Sequence, residues 1–274
     1  DDRFIEPGEG FYSTDAYTDA ACRFIRDCAG DGSAGGSPQG REPFFLHLTY
    51  QAPHWPLHAW PEDIERYRGK FSDGWDALRT ARHERLKASG VLDPRWPISA
   101  RDEQAPPWSD VAEKDWEDAR MAVYAAQVDR MDQGIGRVIE TLRATGQLDN
   151  TLIMFLSDNG GCAEFLAEDG RKENELPFTL DGRPVRVGNI PGLAPGGPDT
   201  FMSYDLPWAN VSNTPFRRFK HWVHEGGIST PLICHWPEGL AEPGRLTHSP
   251  WHVADVMPTL LELAGCEYPE ERDG

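Results

Sequence analysis

Thr151-Leu152-Ile153-Met154-Phe155-Leu156-Ser157-Asp158-Asn159-Gly160-Gly161 is the stretch on which the reading of the fold turns. An apolar run stopped by polar residues and two glycines predicts a short buried strand ending in a polar turn. Upstream, Met121, Ala125, Val128, Met131, Ile135, Val138 and Leu142 recur at steps of three and four. That spacing predicts a long amphipathic helix over about 117–143. Phe44-Phe45-Leu46-His47-Leu48-Thr49-Tyr50 reads as a second buried strand, ending at Gln51-Ala52-Pro53-His54, and Pro231–His235 as a third. A helix is expected over about 15–28, with Tyr17, Ala20, Ala21, Phe24, Ile25 and Cys28 on one face and Gly30 as its stop. Others are expected over about 76–88 and 255–264. Residues 165–215, rich in Gly and Pro, predict a long irregular excursion of the lid or binding-loop kind. Helices alternating with short apolar strands predict an α/β layer fold. In such sheets ligands bind beyond the carboxyl ends of strands, and His54 and Asp158-Asn159 each stand just past one.

The 274 residues suit one large domain or a domain with an appendage. Acidic residues outnumber basic ones 45 to 27, for a net charge of −18. That excludes a nucleic-acid binder, which needs a basic surface, and an anionic substrate would have to find a locally basic pocket. The five cysteines form no CxxC pair, so free thiols are expected. No run of 18 apolar residues predicts a membrane span. The opening Asp-Asp-Arg-Phe has neither a signal peptide's character nor an initiating Met, so the chain is expected to begin within a longer protein and its compartment is left open.

Three segments offer chemistry. Asp158-Asn159-Gly160-Gly161 is either a tight turn or a carboxylate and an amide oxygen set side by side for a hard cation, with glycines that allow close approach. His54 stands four residues before His58, but Pro56 between them opposes a helical zinc pair. It is either a hydrogen-bonded structural residue or a donor and general acid. Arg217-Arg218-Phe219-Lys220, followed by His224-Glu225-Gly226-Gly227, is the most basic cluster. It is either a solvated face or an anion clamp. Trp55, Trp60, Trp96, Trp108 and Trp208 either pack or stack on a sugar, and Asn210-Val211-Ser212 is a glycosylation sequon if the chain enters a eukaryotic secretory route.

Taken together, Pro43-Phe44-Phe45-Leu46 leading to Ala52-Pro53-His54-Trp55-Pro56-Leu57, Val128-Asp129-Arg130-Met131-Asp132-Gln133-Gly134-Ile135, Thr151–Gly161, Lys220 with Glu225-Gly226-Gly227-Ile228, and Asp255–Ala264 resemble the sulfatase family of the alkaline-phosphatase-like superfamily. The resemblance implies an α/β fold with a mixed sheet flanked by helices and metal-assisted hydrolysis of a sulfate ester, from a small molecule or a carbohydrate. It implies that Asp158 and Asn159 are ligands of one Ca²⁺ (or Mg²⁺), that His54 contacts the leaving-group side, and that Lys220 binds sulfate oxygens. A periplasmic or secreted location is also implied. The family's nucleophile is a formylglycine made in a Cys-x-Pro-x-Arg motif, and none of the five cysteines begins one. The family's amino-terminal Asp-Asp metal pair is likewise not matched. The expectation is therefore a partial sulfatase catalytic domain over 1–274, truncated at both ends, with the formylglycine upstream. Two alternatives stay open: a phosphatase or phosphodiesterase of the same superfamily, and a non-catalytic binder of sulfated ligands. Asn rather than His beside Asp158 favours a hard oxygen-bound cation over zinc.

Overall fold

The structure, a computed structural model, describes residues 6–30, 43–170, 177–269 and 271. In chain order come α1 (Ser13–Ala29), α2 (Pro61–Glu65), α3 (Gly74–Ala88), α4 (Lys114–Ala144), β1 (Ile153–Leu156), β2 (Arg186–Val187) and β3 (Thr200–Phe201). These are followed by α5 (Asp205–Ser212), α6 (Glu225–Ile228), β4 (Leu232–His235) and α7 (Val256–Leu263). β1 pairs antiparallel with β4, from Ile153 opposite His235 to Leu156 opposite Leu232. β2 and β3 form a short parallel pair. The architecture is a mixed α/β fold, with small sheets flanked by helices.

α1 stops where expected: Gly30 takes φ 75°, a left-handed cap open to glycine without cost, and its N–H donates to the Asp27 carbonyl. Its buried face is Thr14, Thr18, Ala21, Cys22 and Ile25. Tyr17 and Phe24, expected inward, are exposed. The rotation follows from the helix it meets. A Cβ at Gly134 of α4 would lie 2.5 Å from Thr18 Oγ1, so a small pair lets the two helices close. Arg130 of α4 then grips Asp15 through two bonds of 2.7 and 2.8 Å. The Asp129–Gln133 part of the family-like motif thus does structural work. Arg130 also faces the wholly buried Asp63 of α2 at 3.5 Å, and Gln133 donates to both Asp63 and Asp129.

Apolar spacing located α4 but not its whole buried face. Met121 and Leu142 are buried, whereas Val128 is exposed and Asp118, Arg120 and Gln127 are buried. Each of these polar groups meets a chain segment crossing the helix. Asp118 accepts the backbone N–H of Gly69 and Phe71, and Arg120 pairs with Glu117 while donating to the Ser203 carbonyl. Buried polar groups are retained where they find such partners.

Two expectations need correction. Residues 43–50 form no strand, because no neighbouring strand pairs with them among the described residues. The period of two survives: Phe44, Leu46, Leu48 and Tyr50 are half-buried while Phe45, His47 and Thr49 are exposed. The inward set rests on α1, with Phe44 edge-on to Phe24 and the Tyr50 hydroxyl 2.8 Å from Thr18 Oγ1. The second correction concerns 165–215, which holds β2, β3 and the most buried helix. α5 carries Trp208 and Ala209, both fully enclosed in a core with Leu57, Trp75, Met121, Val123, Tyr204 and Phe219. A helix of eight residues, covered all round, has no polar face to reveal a period. Trp108 and Trp208 pack edge-to-face with Trp75 at centroid distances of 4.7 and 5.4 Å. Asn210 is buried, so the sequon cannot be glycosylated in the folded chain.

Candidate functional site

His54 sits on the turn that follows residues 43–50. Its N–H donates to the Gln51 carbonyl, and its own carbonyl accepts from Gln127 of α4. Three residues on, Leu57 N–H donates to the Met202 carbonyl, which anchors the turn to the core. The ring nitrogen Nδ1 lies 2.8 Å from the Trp55 carbonyl. A carbonyl can only accept, so the proton is assigned to Nδ1, and a neutral ring then turns its Nε2 lone pair the other way. There it meets Lys220: Nε2 and Nζ are 3.2 Å apart, across 166 positions of sequence.

Lys220 arrives by backbone. Its N–H donates to the Gly161 carbonyl, just past β1, and Gly160 N–H donates to Gly227. Asn213 ties both strands of this seam, accepting from Gly161 N–H and donating to the carbonyls of Arg218 and Gly226. The glycines serve this approach of backbone to backbone. A Cβ at Gly160 would fall 1.8 Å from the Gly226 carbonyl oxygen, and one at Gly226 would fall 2.1 Å from that of Arg218.

Glu164 is the residue that sequence reasoning missed. Its carboxylate accepts from Trp55 Nε1 at 2.8 Å and Cys162 Sγ at 3.1 Å, and faces His221 Nε2 at 3.2 Å. Burial pushes this carboxyl up, but the bonds from Cys162, His221 and Trp55, with the nearby Lys220 charge, outweigh it and hold the group at about 2. Burial likewise raises the Cys162 thiol. A lone Glu in an aperiodic loop carries no sequence signal. His54, Cys162 and Glu164 together place one nitrogen, one sulfur and one oxygen donor within 4.8 Å of each other, a potential metal-binding cluster.

The sequence model of the sulfatase family matches residues 1–266. The chain belongs to the sulfatase family. It is 34% identical over 233 residues to an uncharacterized sulfatase of Schizosaccharomyces pombe, covering 83% of this chain and 40% of that protein. It is 32% identical over 272 residues to the arylsulfatase of Klebsiella aerogenes, covering 94% and 52%. In fold it resembles Ps i-CgsB, solved with k-i-k-neocarrahexaose, with a TM-score of 0.53 at 24% identity, over 97% of this chain and 37% of that one. The chain therefore spans about half or less of the length of these relatives.

Within this sulfatase chain the expected site residues are distributed unevenly. His54 and Lys220 meet. Asp158 is exposed at the end of β1, and among the described residues no hydrogen bond or ion pair of its carboxylate joins it to them. Asn159 donates its amide N–H to the Gly160 carbonyl at 2.8 Å, so its own carbonyl oxygen is turned away from the nitrogen side. That oxygen and the Asp158 carboxylate are donors of the kind Ca²⁺ or Mg²⁺ takes. Arg217 is exposed beside His224, and Arg218, at φ 69°, bonds Asp102 and lies over the Trp222 ring. Neither arginine joins Lys220. His58 is structural: its Nε2 lies 2.6 Å from the Thr200 carbonyl, and burial lowers its pKa. A cavity of about 380 Å³ is lined by Trp75, Glu117, Ala163, Phe165 and Asp205, and His54, Lys220, Asp158 and Asn159 are not among its lining residues. No described helix is long and apolar enough to cross a membrane.

Proposed function

We propose that this chain carries the sulfate-binding and leaving-group half of a sulfuric ester hydrolase site. The observation that supports it is the meeting of His54 Nε2 and Lys220 Nζ at 3.2 Å. In an acidic protein an ammonium group held at a histidine, beside a β-strand end, is the feature an anionic ester would seek. Lys220 binds the sulfate oxygens and offsets the charge that gathers on them as the ester S–O bond breaks. His54 stands on the leaving-group side. With its proton on Nδ1 it is an acceptor at Nε2, so it acts as an acid only after Nε2 takes up a proton, which then passes to the departing oxygen. The Trp55 carbonyl holds the ring in that orientation, and Glu164 balances the Lys220 charge when no anion is present.

Asp158 and Asn159 would hold Ca²⁺ (or Mg²⁺), which as a Lewis acid supplies further charge stabilisation when bound. None of the five cysteines opens the formylglycine motif, so the attacking group is a residue other than these five. The arylsulfatase relative supports an aryl sulfate as one substrate arm, and a sulfated carbohydrate is the other that the family resemblance implies.

The test uses the protein in its complete reading frame. Lys220→Ala should lower turnover of an aryl sulfate by about 10²–10³, the scale of one charge-stabilising group. An aryl phosphate assayed alongside should be the poorer substrate. Unchanged sulfate turnover would overturn the reading, and preference for the phosphate would transfer it to phosphoester hydrolysis.

A further inference from the structure

The nitrogen, sulfur and oxygen donors beneath Lys220 differ in kind from the two oxygens offered at Asp158 and Asn159. We propose that His54 Nε2, Cys162 Sγ and a Glu164 oxygen form a second cation site, for a thiophilic divalent ion of the Zn²⁺ type, and that this ion and the Lys220 ammonium compete for it.

Three observations carry this. One nitrogen of the His54 ring, the Cys162 sulfur and a Glu164 oxygen already lie within 4.8 Å of one another. Tetrahedral zinc with bonds of about 2.0–2.3 Å needs ligand separations of roughly 3.3–3.8 Å, so closure takes shifts on the order of 1 Å at most. The outer contacts are those a metal ligand set requires. His54 Nδ1 on the Trp55 carbonyl leaves Nε2 as the lone-pair nitrogen, and the same residue's indole N–H fixes Glu164 Oε2. His221 Nε2 holds the other carboxylate oxygen at 3.2 Å. Finally, a cation already stands there: Lys220 Nζ is 3.2 Å from the nitrogen the metal would use. Two cations cannot share that nitrogen, and a half-buried lysine on a four-carbon stem can swing away. Glu164 and His221 are partly open to solvent and offer the way in.

On binding, the Cys162 S–H bond breaks, its proton goes to solvent, and the sulfur–metal bond forms, with no change of oxidation state. A thiolate and an imidazole prefer such an ion to Ca²⁺, so Ca²⁺ in the buffer should not compete. Occupation also draws Lys220 away from the sulfate position. That inhibitory consequence rests on the hydrolase reading, whereas ion binding itself does not.

The experiment is a Co²⁺ and Zn²⁺ titration of the full-length protein with Ca²⁺ present throughout. Co²⁺ should give a thiolate-to-metal charge-transfer band at one ion per chain, and Zn²⁺ should abolish it. Competition against a chromogenic chelator should show Zn²⁺ binding weakened at least about tenfold in Cys162→Ser, and tightened about tenfold or more in Lys220→Met, which removes a like charge from contact. Absence of the band in the unmutated protein overturns the site whatever the variants do. A band with no tightening in Lys220→Met overturns the competition. If the ion binds as described but leaves sulfate ester turnover unchanged, the binding site stands and the hydrolase role of Lys220 fails.

Discussion

Between α1 and residue 219 the chain encloses tryptophans, an arginine and an aspartate completely, whereas from β4 to residue 271 not one described residue is buried. The first region is knitted by polar groups that reach across elements: Asp15 to Arg130 and Trp60, Asp118 to the backbone at Gly69 and Phe71, Trp208 to Glu117. The second is ordered locally. Its last helix is introduced by a capping box in which the His252 ring and the Asp255 carboxylate each accept a backbone N–H, while Met257 and Leu263 remain exposed. The difference teaches where this fold draws its stability, and it locates the site. His54 belongs to the knitted region and Lys220 directly follows its last residue, where the loop from β1 holds Lys220 by a backbone bond at Gly161 and meets the His54 turn through Glu164 and Trp55.

The sharpest test of the contrast is Trp208→Ala. Its side chain is fully enclosed against Trp75, Phe71 and Trp108. The cavity left should cost about 3–5 kcal/mol in urea denaturation. A loss under about 1.5 kcal/mol would break the claim that α5 is the centre of the core.

Asp15→Asn should cost less, about 1.5–3 kcal/mol at neutral pH, because a charged acceptor is lost while Arg130 keeps Asp63. Burial acts to raise the Asp15 carboxyl, but hydrogen bonds from Arg130 and Trp60 outweigh it and the net effect is downward. A depressed carboxyl stabilises fully above its unfolded value, and that contribution is lost as pH falls through the folded one. The native protein should therefore lose stability below about pH 4, the unfolded Asp range, more steeply than the Asn variant. Parallel acid profiles for the two proteins would contradict the ion-pair account.

Leu263→Ala in α7 should have the smallest effect, within about 0.5 kcal/mol. A loss above about 1.5 kcal/mol would show that this helix is covered in the whole protein.

Much of the molecule was legible from its residues, and the misses share a cause. α1 and α4 announced themselves by spacing, and β1 by an apolar run with a polar stop. The strand expected at Phe44–Tyr50 kept its alternation but finds no ladder among the described residues, because pairing is a property of the neighbour and not of the segment. α5 was hidden because burial on every side erases periodicity. At the site, His54 and Lys220 drew notice through position and local charge. Glu164 and Cys162 did not, since their roles come from the Trp55 indole and His54 ring, more than a hundred positions away. Gly160 and Gly226 also serve an approach of backbone to backbone, which no local spacing announces.

The central claim is that His54 and Lys220 act as one site, and a double-mutant cycle in the complete reading frame measures it. Aryl sulfate turnover is compared for His54→Ala, Lys220→Ala and the pair. Side chains in contact that serve one anion should be coupled by about 0.5–3 kcal/mol, so the double variant should lose less than the product of the two single losses. Losses that simply multiply would mean that the contact between the two side chains has no part in the chemistry.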